Sequence, residues 1–155
     1  MSFRISGLAA REFSAFFGMT DAELAAHDAR RVVADRHPGF PCRVSLIDAQ
    51  PGERVLLVNY EHLPVSSPYR SRYAVYVREH ASEARLGVNE IPPVLQHRLL
   101  SLRAFSEAGM LLDADVVEGK AISPALERLL AAPEVAYLHV HNARPGCFAA
   151  RVDRA

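Results

Sequence analysis

The chain has 155 residues, half of them hydrophobic and 23% charged, with 18 Lys+Arg offset by 18 Asp+Glu to a formal net charge of zero. That length buries enough surface for one domain to fold without disulfides or a structural metal. The balanced charge speaks against a general nucleic-acid binder or a membrane-surface protein, both of which need a positive excess.

The amino-terminal stretch carries Arg4, Arg11 and Glu12 before any apolar leader core forms, and no apolar run approaches the ~20 residues that span a bilayer. With only Cys42 and Cys147, no disulfide framework is indicated. The expectation is a cytoplasmic protein with both thiols reduced.

In chain order, Phe3 and Ile5 alternate with Arg4 and Ser6, predicting a short strand that ends at Gly7. Ala9 to Phe17 is helical in character, and Thr20-Asp-Ala-Glu23 is a capping box that predicts a helix running to about Asp28. Arg30–Asp35, Arg43–Ile47 and Arg54–Tyr60 read as strands, the last two joined by a turn at Pro51-Gly52. A strand over Arg72–Arg78 follows the loop from Leu63 to Tyr69. Pro92-Pro93 opens a short helix through His97. Leu99–Phe105 and Met110–Val117 read as paired strands. Ser123-Pro124 predicts an N-cap and first-turn proline for a helix stopping before Pro133, and Val135–His141 and Cys147–Val152 are the final strands. No repeat, linker or low-complexity tract is present over 1–155, and neither is a glycine-rich phosphate loop. The pattern predicts a single α+β domain: a mainly antiparallel sheet, a few short helices and a C-terminal β-hairpin.

That hairpin concentrates chemistry. Alternation puts Tyr137, His139 and His141 on one strand face and Ala136, Leu138 and Val140 on the other. With Asn142–Gly146 as the loop and no bulge, His141 faces Cys147, His139 faces Ala149 and Tyr137 faces Arg151, while Val140 pairs with Phe148 on the apolar side. One reading is a ligand site on the polar face, built from Tyr137, His139, His141, Cys147 and Arg151. Arg43, Arg103 and Arg144 would complete it, with Asn142 at the turn, for a small anionic ligand. If it is an enzyme, Cys147 is the candidate nucleophile, His141 its base and His139 a further proton carrier, for acyl or thiol transfer. The rival is an interaction module whose hairpin packs on a second copy or a partner protein.

Elsewhere, Asn59-Tyr-Glu-His62 places polar and aromatic groups at a strand end, and Ser66–Arg72 gathers hydroxyls with Arg70 and Arg72. Asp113 and Asp115 share a strand face but offer too few oxygens for a hard metal. Cys42, Cys147, His139 and His141 have zinc-ligand chemistry without the paired spacing of a structural site, so neither metal nor cofactor is expected.

Five motifs occur in a fixed order: Pro38-Gly-Phe-Pro-Cys-Arg-Val-Ser-Leu46, Asp48-Ala-Gln-Pro-Gly-Glu-Arg-Val-Leu-Leu57, Asn59-Tyr-Glu-His62, Ser67-Pro-Tyr-Arg70 and Tyr137-Leu-His-Val-His-Asn-Ala-Arg-Pro-Gly-Cys-Phe-Ala-Ala-Arg151. Over nearly the whole chain this resembles the bacterial family called domain of unknown function 1203. The resemblance implies a small bacterial protein and brings no catalytic residues with it.

Overall fold

A computed structural model describes residues 1–155. Eight strands form two antiparallel sheets: β1 (Phe3–Ser6), β2 (Ala29–Val33), β3 (Arg54–Leu63), β4 (Ser71–Arg78), β5 (Leu99–Phe105), β6 (Leu111–Glu118), β7 (Tyr137–Asn142) and β8 (Phe148–Arg154). The larger sheet has the order β1-β8-β7-β5-β6 and the smaller one β2-β3-β4. Three short helices, α1 (Asp21–Ala26), α2 (Pro93–Gln96) and α3 (Ile122–Leu130), complete the α+β architecture that the sequence predicts. None of them is long and apolar enough to cross a membrane.

Period-two patterning builds the main core. Leu100, Leu102 and Ala104 of β5, Leu138 and Val140 of β7, and Ala150 and Val152 of β8 all enter one buried cluster. Ile122, Leu126, Leu129 and Leu130 of α3 join them, so α3 covers this face of the larger sheet. A second cluster holds Phe13, Leu24, Cys42, Val44 and the inward residues of β3 and β4.

Local chemistry sets several boundaries. The capping box is formed: Thr20 Oγ1 accepts from the Glu23 amide at 3.2 Å and Glu23 Oε2 accepts from the Thr20 amide at 2.7 Å. α1 nevertheless ends at Ala26, two residues short of the expected end, with Asp28 at φ 51°. The Ala9–Phe17 segment forms two 3₁₀ turns, Ala10–Glu12 and Ser14–Gly18, that bury no residue of their own. α3 starts at Ile122 behind a 3₁₀ turn, so Ser123 lies inside the helix and caps nothing.

Arg43–Ile47 departs most from expectation. It forms no strand but a tight turn, with the Leu46 amide bonded to the Cys42 carbonyl and the Cys42 amide to the Ile47 carbonyl, both at 3.0 Å. Cys42 Sγ sits inside the turn and accepts the amides of Ser45 and Arg78 at 3.4 and 3.3 Å. Gly7 lets β1 leave across this segment, since a Cβ there would meet the Arg43 carbonyl at 2.4 Å. The result is an arginine whose whole side chain points inward.

Candidate functional site

The hairpin register controls which side chains meet. Observed partners are Leu138↔Val152, His139↔Arg151, Val140↔Ala150 and His141↔Phe148, with an irregularity between the last two. The expected pairing of His141 with Cys147 is therefore not formed. Cys147 closes the turn instead of opening the strand: the Asn142 amide donates to its carbonyl at 2.9 Å, and Gly146 at φ 82° makes the reversal. That one-residue shift moves Phe148 onto the histidine face and takes Cys147 off it. A bulge at Ala149 adds a second shift, which returns Arg151 to the histidine face opposite His139 rather than Tyr137.

The histidine face is closed, not the open polar surface that alternation suggested. All six residues of β7 are buried. One side of β7 lies under α3, and on the other β3 brings in His62 and Leu63. Leu63 packs with Phe105 and Tyr137. His62 comes within 5.1 Å of the His141 ring centroid and 6.1 Å of His139. It also stacks on Phe148 at 5.5 Å with an interplanar angle of 11°.

The ligand-type nitrogens of His62, His139 and His141 lie within 4.8 Å of one another. His141 Nδ1 is 3.0 Å from the Gly146 carbonyl, which makes it the protonated nitrogen of a neutral ring. Nδ1 of His62 and Nδ1 of His139 are buried without any hydrogen bond. Burial, reinforced by Arg103, pushes His62 down to about 4. Burial takes His139 to about 3, with the neighbouring His141 and His62 adding to the shift. His141 also falls to about 3 through burial, against the opposing pull of the Gly146 carbonyl. All three rings are thus neutral near pH 7.

Arg103 is half-buried on this face, its Nε 3.3 Å from Ser101 Oγ, and the positive charge acts on all three rings. Arg151 is committed elsewhere. It forms an ion pair with Asp153 at 2.8 Å and lies 4.1 Å over the Tyr137 ring.

The remaining predicted residues gather on the other side of the turn. A cavity of about 660 Å³ is lined by Arg36, Arg43, Arg98, Asn142, Arg144 and Cys147, with Glu118 the one acidic group in its wall. Arg43 is 1% exposed. Its Nε donates to the Phe148 carbonyl at 2.7 Å and its NH1 to the Pro41 carbonyl at 2.6 Å. The guanidinium forms no ion pair with a carboxylate; the ionisable groups that act on it are Cys147, Cys42 and Arg98. Burial lowers its pKa, yet a guanidinium stays charged in a protein. Asn142 Nδ2 reaches Cys147 Sγ at 3.5 Å, and Asn142 Oδ1 is buried with no partner.

The cavity also shows what the sequence did not flag. Arg98 clamps Asp48 with two bonds of 2.5 and 3.0 Å. Burial raises the Asp48 pKa, but the Arg98 contacts, together with the Gly39 amide and His37, outweigh it and hold the carboxyl below its usual range. An aspartate between Ile47 and Ala49 was the available signal. Arg36 pairs with Asp35 at 3.0 Å. Arg144, by contrast, is exposed and has neither a hydrogen bond nor an ion pair of its own.

A family model described as protein of unknown function (DUF1203) matches residues 39–154. The chain belongs to the DUF1203 family. No curated protein and no solved structure matches it. The DUF1203 match contains His62, His139 and His141 together with Arg43, Asn142, Arg144 and Cys147, so both clusters lie inside the part of the chain that defines membership. Arg36, at the cavity mouth, falls outside it. Both cysteines are free thiols, and neither reaches the three histidines as a zinc set: Cys42 is held by two amides, and Cys147 lies on the arginine side. Asp113 and Asp115 are tied to Arg128 at the outer edge of the larger sheet.

Proposed function

We propose that this protein binds a small anionic molecule in the cavity at the turn of the β7–β8 hairpin. Arg43 carries the argument. A fully buried guanidinium that meets only carbonyls and sulfur holds a charge with no counter-charge, and burying such a charge is costly unless an anion compensates it. Arg144 stands free at the same cavity, in the position of a second anchor. Asn142 Oδ1 adds a demand of the opposite kind, since it needs a donor. An anion that also carries a hydroxyl, such as a hydroxycarboxylate, meets both requirements.

This reading moves the ligand from the strand face to the turn. It keeps Arg43, Arg144, Asn142 and Cys147 as contacts, and it leaves Tyr137 and Arg151 to structure. Transfer chemistry at Cys147 loses its base here, because His141 Nδ1 faces the Gly146 carbonyl and its ring packs against His62 and Phe148.

Calorimetry with malate and inorganic phosphate tests the proposal. Malate binding is expected to be the tighter of the two and to weaken as salt rises. Arg144→Ala should weaken it about 10–100-fold, the worth of one charge-assisted hydrogen bond, without changing the melting temperature. Binding of neither anion below millimolar concentration, or equal affinity in the variant, would refute it.

A further inference from the structure

We infer that His62, His139 and His141 bind one divalent transition-metal ion, zinc in the first place, with an anionic fourth ligand beside Arg103. The site is separate from the arginine cavity and rests on its own observations.

Three buried imidazoles from two different sheets converge, and their candidate ligand atoms are within 4.8 Å of one another. Their ring centroids stand 5.1, 6.1 and 6.2 Å apart. A tetrahedral ion with nitrogen at 2.0–2.1 Å sets such centroids about 5.2 Å apart, so small side-chain rotations close the set. The rings are already neutral, the protonation state a ligand needs.

The polar bookkeeping points the same way. Two of the Nδ1 atoms are buried with no partner, an arrangement that in folded proteins marks a missing ion or water. The third ring has its Nδ1 held by the Gly146 carbonyl, the outer contact that fixes a ligating histidine and frees its Nε2. Phe148 packs against all three rings and Phe105 against His139, an apolar wall that keeps water from competing.

Donor type selects the metal. An all-imidazole set suits zinc, copper, iron, nickel or cobalt and not magnesium or calcium, which take oxygen. Three neutral rings leave the ion's double charge uncompensated, and Arg103 adds a further positive charge next to them. The fourth ligand is therefore an anion, hydroxide or a small carboxylate, lying where it faces both the ion and Arg103.

The test uses the full chain, stripped with EDTA and titrated with Zn²⁺, Co²⁺ and Mg²⁺. Expected results are one zinc per chain with sub-micromolar affinity, no magnesium binding, and visible cobalt bands of a tetrahedral complex. His62→Ala should weaken zinc at least ~100-fold, while His80→Ala, at an exposed histidine outside both clusters, leaves it unchanged. Added azide should shift the cobalt bands, and Arg103→Gln should weaken that response about tenfold; an unchanged azide response removes the anion from the proposal. If His62→Ala loses its fold, imidazole nitrogen spectra of the wild type decide: zinc must shift the ring nitrogens of all three histidines. Zinc no tighter than magnesium, equal zinc affinity in a folded His62→Ala, or unshifted rings would overturn the site.

Discussion

The two sides of the β7–β8 hairpin, a few residues apart in sequence, are opposite solutions to burying polar groups. On the β3 side, His62, His139 and His141 sit among Phe105, Tyr137 and Phe148, and burial strips them of charge. On the turn side, Arg43 keeps its charge in equal burial because a guanidinium cannot give up its proton, so carbonyls and the cavity must accommodate it. Under the two proposals, that difference sets which ligand each side would take. A cluster of neutral nitrogens with spare lone pairs attracts a cation, and a fixed positive charge without a carboxylate attracts an anion. The turn separates the two, since it takes in Cys147 and sends Phe148 onto the histidine face.

The largest expected effect breaks the arginine side. Arg43→Ala should destabilise the fold by about 3–5 kcal/mol, because the Pro41 and Phe148 carbonyls lose their donor at about 1–3 kcal/mol each and a cavity opens. Urea unfolding reads this directly. A loss below about 1 kcal/mol would show that the guanidinium is dispensable to packing.

The histidine side is sharpened by acid. The three folded-state pKa values lie below the unfolded value near 6.5, so the unfolded chain binds more protons as pH falls through that window. Their stability contribution is complete above about pH 6.5 and is lost towards pH 4 and 3, with a slope of up to about 1.4 kcal/mol per pH unit for each histidine. Metal-free protein should show this in denaturation series from pH 8 to 4, and His139→Asn should flatten the slope by about a third. An unchanged slope in the variant would mean that the ring titrates freely.

Two smaller effects lie outside both clusters and mark the background. Arg154 ties the end of β8 to the carbonyls of Leu130, Ala132 and Val135, so Arg154→Ala should cost about 1–3 kcal/mol. Thr20→Ala removes the capping box of α1 for about 1 kcal/mol. Thermal unfolding measures both, and neither should alter malate or zinc affinity. A change in either affinity would couple the hairpin to distant elements.

Much of the fold was legible because alternation and turn residues act locally: β1, β3 to β8 and the start of α1 follow from period two, Pro-Gly and a capping box. The Arg43–Ile47 turn was not, because its cause is tertiary. Cys42 Sγ accepts an amide from β4, and Arg43 reaches β8, more than a hundred residues away. In the site, the shared face of Tyr137, His139 and His141 was readable from spacing. The register was not, since a loop one residue longer, taking in Cys147, and a bulge at Ala149 leave no mark in a pattern of Ala and Phe. His62 stood out only as a strand-end residue, because the approach of β3 to β7 is a packing of two sheets that no local periodicity encodes.

The central claim is that one hairpin presents sites of opposite preference on its two sides. Anomalous diffraction from a crystal soaked in cobalt chloride and sodium selenate, measured at both absorption edges, tests it most directly. The account predicts a cobalt peak among His62, His139 and His141 and a selenium peak in the cavity beside Arg43 and Arg144. Cobalt elsewhere with the three rings unliganded, or selenate bound away from both arginines, would contradict it.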